Sequence, residues 1–221
     1  MQTVANVLRR CEPAARRRFE PACVRQDIAW PPRRVTLLVF KQEKRMETWG
    51  ANARGPFRHL ADFPILAASG GPGPKRRQGD GQVPEGFYRI SFLNPNSAYH
   101  LSLRVDYPNA DDRRLPDRLP PARQGGDIYV HGNAVSIGCV AIGDAAIEHV
   151  FCLVARAAPG ERRILLAPLD LRPPDAPAPR SLAAQTAADA NEKTWLGDRY
   201  ERLQTVLRNE FSNTVKFPAA R

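Results

Sequence analysis

The residues most able to do chemistry sit together in one segment, Asp127-Ile128-Tyr129-Val130-His131-Gly132-Asn133-Ala134-Val135-Ser136-Ile137-Gly138-Cys139-Val140-Ala141-Ile142-Gly143-Asp144. A strand-like run ends in His131, a short Gly-containing loop follows, and Cys139 stands before a helix-like stretch. A thiol with an unperturbed pKa of ~8.5 is mostly protonated at neutral pH, so thiolate chemistry needs a base and a favourable field. A nearby imidazole can accept the proton, and the positive end of a helix can favour the anion. Gly138 lets the backbone turn sharply, which can aim the N–H groups beside Cys139 at a developing oxyanion. The pattern fits a nucleophile; it also fits a buried structural thiol.

These residues need a frame. Strand-forming runs are predicted at 35–40, 45–49, 63–69, 87–92, 99–106, 127–131 and 163–167, each bounded by turn residues. In 99–106 the alternation places Tyr99, Leu101, Leu103 and Val105 on one face, as in a half-buried strand. His100 falls on the opposite face and reads as an exposed histidine, as does His59, which has no chemical partner nearby in sequence. Residues 144–157 carry the helical period through Ile147, Val150, Phe151 and Val154, with Asp144 as the expected N-cap. His149 and Cys152 share a face of that helix, but two ligands without a companion pair make weak metal chemistry, and Cys152 reads as a buried thiol. The expected fold class is mainly β with α: a sheet domain, a helix after Cys139 and a further helix at the C-terminus.

Four segments are expected: a basic lead-in at 1–34, a folded domain at 35–168, a Pro/Ala-rich linker at 169–191 that is extended over 171–179, and an amphipathic helix with tail at 192–221. The final helix repeats Leu196, Tyr200, Leu203, Leu207 and Phe211 on one face and should dock on the domain. In the lead-in, read as part helix from a short apolar start at Val4, Val7 and Leu8, Arg dominates and apolar residues are otherwise sparse, so Cys11 and Cys23 read as unpaired thiols in a loose arm, with a disulfide expected only on export. Loops 70–85 and 109–126 are long and rich in Gly, Pro and charge, as binding walls often are. The first superficially resembles a phosphate loop, yet Pro72 and Pro74 lack N–H groups and no Ser or Thr follows Lys75.

The chain has 221 residues, 33 Lys+Arg against 23 Asp+Glu, and a formal net charge of +10. That charge suits a nucleic acid, an anionic membrane surface or an acidic polymer alike. Its basic residues lack interleaved aromatic stacking positions, which disfavours nucleic acid. No apolar run approaches the ~18 residues of a membrane span. Cysteine spacing is neither that of a zinc ribbon nor that of a disulfide scaffold. The first residues show no secretory signal peptide.

The His-Gly followed by Ser136-Ile137-Gly138-Cys139 resembles the signature of the L,D-transpeptidase catalytic domain (YkuD-like) family. Residues 79–88 are similar to that family's P-x-G-x-Y/F strand entry, and 40–49 to its opening hairpin. Tyr107-Pro108-Asn109-Ala110-Asp111-Asp112-Arg113 is closer to the YafK-like branch than to the main group. The resemblance covers 35–168. It implies that Cys139 is acylated by a peptide donor and that His131 is the base and acid. It also implies that Gly132 orients the imidazole through its backbone, and that Ser136 and Gly138 shape a turn whose Gly138 and Cys139 N–H groups form the oxyanion hole. The chain departs from the family at Ile137, where His is common, in the apolar Val140-Ala141-Ile142, where Arg often follows the cysteine, and in its shorter His131–Cys139 loop.

The implied substrate is the carboxylate-bearing peptide stem of peptidoglycan, which Lys75, Arg76, Arg77 and Arg113 would contact. The implied chemistry is two-step acyl transfer through a thioester, with no metal and no organic cofactor, in the cell envelope or periplasm. Hydrolysis by the same pair, as an L,D-carboxypeptidase or an amidase releasing a covalently attached envelope protein, is the alternative. A silent peptidoglycan-binding or nucleic-acid-binding module is the more distant rival.

Overall fold

The computed structural model describes residues 1–114 and 121–212. Residues 115–120 of the second long loop and the tail 213–221 lie outside the described residues. The strands are β1 (Arg34–Phe40), β2 (Arg45–Ala51), β3 (Arg58–Pro64), β4 (Ala67–Ala68), β5 (Gly86–Ser97), β6 (His100–Val105), β7 (Tyr129–His131), β8 (Val140–Ala141) and β9 (Arg162–Ala167). The helices are α1 (Val4–Arg25), α2 (Pro121–Gln124), α3 (Asp144–Arg156), α4 (Pro179–Thr186) and α5 (Ala190–Glu210).

Among the described residues the strands form one mixed sheet in the order β3-β2-β1-β9-β5-β6-β7-β8-β4. Pairs β1–β9 and β7–β8 are parallel and the others antiparallel. The long strand β5 joins the two halves, because residues 86–89 pair with β9 whereas residues 90–97 pair with β6. The sheet is covered on both sides. Val35, Leu37 and Val39 of β1 join one apolar cluster with α1 and α3, while Leu38 and Phe40 join another with α4 and α5. Burial on both faces explains why β1 reads as an unbroken apolar run rather than an alternating one.

The N-terminal segment is no loose arm. It forms α1, capped by the Thr3 hydroxyl on the Asn6 N–H, and its buried residues Val7, Cys11, Ala15, Phe19 and Cys23 recur every four positions. That stripe packs on α3 and β3. Burying a side chain such as Phe19 stabilises by roughly 1.5–3 kcal/mol, so α1 is part of the core. Cys11 and Cys23 are free and buried; twelve residues of helix separate them by roughly 18 Å, far beyond disulfide reach.

Residues 171–178 carry neither helix nor strand, but the linker is not free chain. Leu169 and Leu171 are buried in the outer cluster, and α4 places Leu182 and Ala183 there as well. Asp189 caps α5 through the Glu192 N–H, and Leu196, Tyr200, Leu203, Leu207 and Phe211 are all fully buried. The strand expected at 63–69 is instead the end of β3 and the short β4, and β8 is too brief to have a period in sequence. His59 does have a partner: its Nε2 lies 2.5 Å from Asp62 Oδ1. His100 is exposed and meets Glu148 across the β6–α3 contact. No described helix is long and apolar enough to cross a membrane.

Candidate active site

Residue pairing brings His131 and Cys139 together. In the parallel pair β7–β8, Val130 stands beside Val140 and His131 beside Ala141, so Cys139, immediately before β8, continues the register opposite Tyr129. Residues two apart in a strand share a face, which puts His131 and Cys139 on the same face of neighbouring strands, with Cys139 Sγ 3.6 Å from the Asp127 carbonyl. His131 is 2% exposed, and its Nδ1–H donates to the Gly132 carbonyl at 2.6 Å. A carbonyl can only accept, so in the neutral ring the proton sits on Nδ1 and Nε2 carries the basic lone pair. The Tyr99 ring, 44% exposed and outside β6, covers the imidazole at 4.7 Å between centroids. Tyr99 therefore caps the site instead of continuing the buried face of Leu101, Leu103 and Val105.

Neighbouring chain fixes the end of β7. The Gly132 N–H donates to the Leu101 carbonyl and the Ile142 N–H to the His131 carbonyl. A side chain at Gly132 would place its Cβ 2.5 Å from Asp144 Oδ1 and 2.8 Å from the Tyr99 carbonyl, so only glycine fits there. Asp144 is not the N-cap of α3. Gly143 holds that position without a side-chain bond, and Asp144 Oδ1 accepts the Asn133 N–H at 2.7 Å. The carboxylate ties the loop after His131 to the helix. Nor does α3 begin at the nucleophile: β8, Ile142 and Gly143 intervene, and the helix field fades within its first turn.

Hydroxyl groups hold the turn carrying Cys139. The Ser136 Oγ accepts the Cys139 N–H at 3.1 Å and donates to the Cys139 carbonyl at 2.7 Å. The Ser69 Oγ accepts the Gly138 N–H at 2.5 Å and donates to the Gly81 carbonyl at 2.7 Å. Gly138 has φ +92°, a conformation that L side chains rarely adopt. Both N–H groups expected to form an oxyanion hole thus already donate to a serine. Ser69 carries no motif in sequence; only the β4–β8 pairing, Ala68 beside Val140, brings it opposite Cys139.

Burial sets the resting protonation of the pair. It pushes the Cys139 thiol above its ordinary value; a Tyr129 backbone hydrogen bond opposes it, the Asp127 charge adds to it, and the Lys75 charge opposes it more weakly. Burial also lowers the His131 pKa, which the Gly132 hydrogen bond partly restores. Thiol and neutral imidazole are therefore both favoured at neutral pH.

The four basic candidates separate. Lys75 is 4% exposed and its Nζ bonds Asp80 Oδ1 at 2.6 Å and the Arg77 carbonyl at 2.8 Å. Arg76 reaches Glu192 of α5 at 2.8 Å and the Thr186 carbonyl. Lys75 thus ties the 70–85 loop to itself, and the part-exposed Arg76 ties it to α4 and α5. Arg77 is exposed. Arg113 donates to the Pro108 carbonyl at 2.6 Å and lines an open cavity of about 670 Å³ with Asp111, Arg114 and Arg202. Among the described residues no cluster of three His, Cys, Asp or Glu could hold a metal ion.

Comparison with known proteins agrees with this architecture. A family model, YkuD, the L,D-transpeptidase catalytic domain, matches residues 34–162, more than half of the chain. A protein of Escherichia coli (strain K12) named "Putative L,D-transpeptidase YafK" is 34% identical over 125 residues, covering 56% of this chain and 48% of that protein. The chain thus spans about half the length of the curated relatives it matches. Among solved structures, a mutant of the helical cell shape determining protein Pgp2 from Campylobacter jejuni is similar with a TM-score of 0.52 at 18% identity, over 79% of this chain and 57% of that one.

Proposed function

Because the chain belongs to the L,D-transpeptidase catalytic domain (YkuD) family, whose members act on peptidoglycan, we propose that it transfers acyl groups between peptide stems through a thioester on Cys139. What carries the reading is the placement of His131 and Cys139 on one sheet face, with the imidazole oriented by the Gly132 carbonyl.

Since burial favours thiol and neutral imidazole, the proton leaves Cys139 as attack begins rather than beforehand. His131 Nε2 takes it, Sγ bonds to the stem carbonyl carbon, and an oxyanion forms. Collapse breaks the C–N bond, and the proton on His131 passes to the departing amine. An acceptor amine then gives its proton to His131, attacks the thioester and releases the thiol. The Gly138 and Cys139 N–H groups are the proposed oxyanion donors, each sharing its hydrogen between the oxyanion and its serine. Arg77, exposed in the 70–85 loop, is the basic candidate free to meet a stem carboxylate from solvent. Water resolving the same thioester gives the hydrolytic alternative.

Purified tetrapeptide muropeptides, with and without an acceptor stem, test this directly. Cross-linked dimers that vanish with Cys139→Ala support transfer, and trimmed monomers support hydrolysis. Stems left intact by the native protein refute both.

A further inference from the structure

The turn that carries Cys139 has little backbone support. Its flanking strand β8 is two residues long, as is β4, its antiparallel partner, and Gly138 at φ +92° has no intrinsic preference for its conformation. Backbone pairing of that length leaves N–H groups without ladder partners, and buried or half-buried donors must find others. Ser136, three residues before Cys139, supplies one from within the turn. Ser69 supplies the other from outside it. Its hydroxyl accepts the Gly138 N–H, donates to the Gly81 carbonyl, and its own N–H donates to Ser136 Oγ at 3.3 Å. One side chain thus connects the nucleophile's turn, the second serine and the 70–85 wall. The wall is close: a Cβ on Gly138 would lie 3.2 Å from the Gln82 carbonyl.

We infer that Ser69 is a positioning residue for acyl transfer, pinning the Gly138–Cys139 peptide against the 70–85 wall so that Sγ and the two N–H groups keep one geometry toward a carbonyl. The inference rests on the acyl-transfer reading above. Attack on a carbonyl demands that geometry because charge develops on an oxygen away from sulfur. Alkylation of the same thiol at a saturated carbon does not, since no oxyanion forms.

Comparing the two reactions on the full chain tests this. The rates are Cys139 acylation by p-nitrophenyl acetate, in which the S–C(=O) bond forms and p-nitrophenolate leaves, and alkylation by iodoacetamide. Ser69→Ala leaves the Gly138 N–H and the Gly81 carbonyl without their partner, and should slow acylation roughly tenfold while alkylation stays within about twofold. Ser69→Thr retains the hydroxyl, and Ser69 borders a cavity of about 330 Å³ with room for the added methyl, so it should restore acylation. Equal loss of both reactions in Ser69→Ala, unchanged acylation, or failure of Ser69→Thr to rescue overturns the role. A native protein that reacts with the ester but leaves tetrapeptide stems intact refutes the peptidoglycan reading alone, and the ester ratio still decides Ser69.

Discussion

Two polar clusters in this molecule, one around Cys139 and one around Arg199, are built on opposite terms. Arg199, on α5 and 1% exposed, bonds Asp112 at 2.8 Å, Asp111 at 3.0 Å and the Glu85 carbonyl at 2.6 Å, and stacks on Trp195. Asp112 in turn accepts from Tyr88 at 3.0 Å, and the fully buried Glu85 is held by Lys41 at 2.8 Å and by Tyr200. Each charged group there faces an opposite charge or a dipole, and of the Arg199 donors Nε alone is buried without a hydrogen-bond partner among the described residues. At the other cluster His131 has one nitrogen tied and one basic, and burial of Cys139 raises its thiol pKa and so favours the protonated form. Saturated charges fix shape, whereas chemistry sits where a group keeps a lone pair or a proton to exchange. Lys75 and Arg76, two of the substrate contacts implied by the resemblance, each also hold a carboxylate of this chain, Asp80 and Glu192.

The clusters are connected nonetheless. Glu85 ends the first long wall and Asp112 lies in the second, so α5 clips both walls from behind the sheet.

The contrast is sharpest under mutation. Cys139→Ala should lower acyl transfer by roughly three orders of magnitude or more with little change in Tm. Comparable losses of stability and turnover would erase the distinction between the clusters. Arg199→Ala should do the reverse, since removing one partner of a buried pair costs roughly 3–5 kcal/mol. Denaturant unfolding would read this as a fall of about two to four orders of magnitude in the folded-to-unfolded ratio, and a change under 1 kcal/mol would show that the network is not what clips α5.

A pH profile probes the unsaturated cluster. His131 must be neutral to accept the thiol proton, and burial holds its pKa below the ordinary ~6.5. Acyl transfer should therefore decline only below that value, about tenfold per pH unit. Iodoacetamide alkylation, which needs the thiolate, should keep rising past the ordinary ~8.5 of a thiol, since burial raises Cys139. A shared midpoint for both reactions near neutrality would instead indicate a preformed ion pair. The smallest effect is expected at Arg77, exposed at the site wall. Arg77→Ala should raise KM for the stem about threefold, the scale of an exposed ion pair, with kcat and Tm unchanged; altered kcat would move Arg77 into the reacting geometry.

Much of the frame was legible in the residues. Strands β1, β2 and β6 announce themselves by β-forming runs between turns, and α5 by five apolar residues at helical spacing, because these patterns express local geometry. α1 was hidden by composition. Its apolar residues are few, Pro13 and Pro21 interrupt it, and only their four-residue phase betrays a buried stripe. The pair β4–β8 was hidden by brevity, since two residues have no period.

The sequence by itself put His131 at a strand end and Cys139 in a Ser-x-Gly-Cys turn within one segment of eighteen residues, and the family resemblance is what proposed them as a pair. Only the tertiary structure decided which other groups serve them. Ser69 meets Gly138 across 69 positions, Asp112 meets Arg199 across 87, and Lys75 turns inward to Asp80. Charge and hydrogen-bonding capacity are written in the residue type; whether they are satisfied depends on which distant backbone arrives alongside, and that is settled by strand register and helix docking.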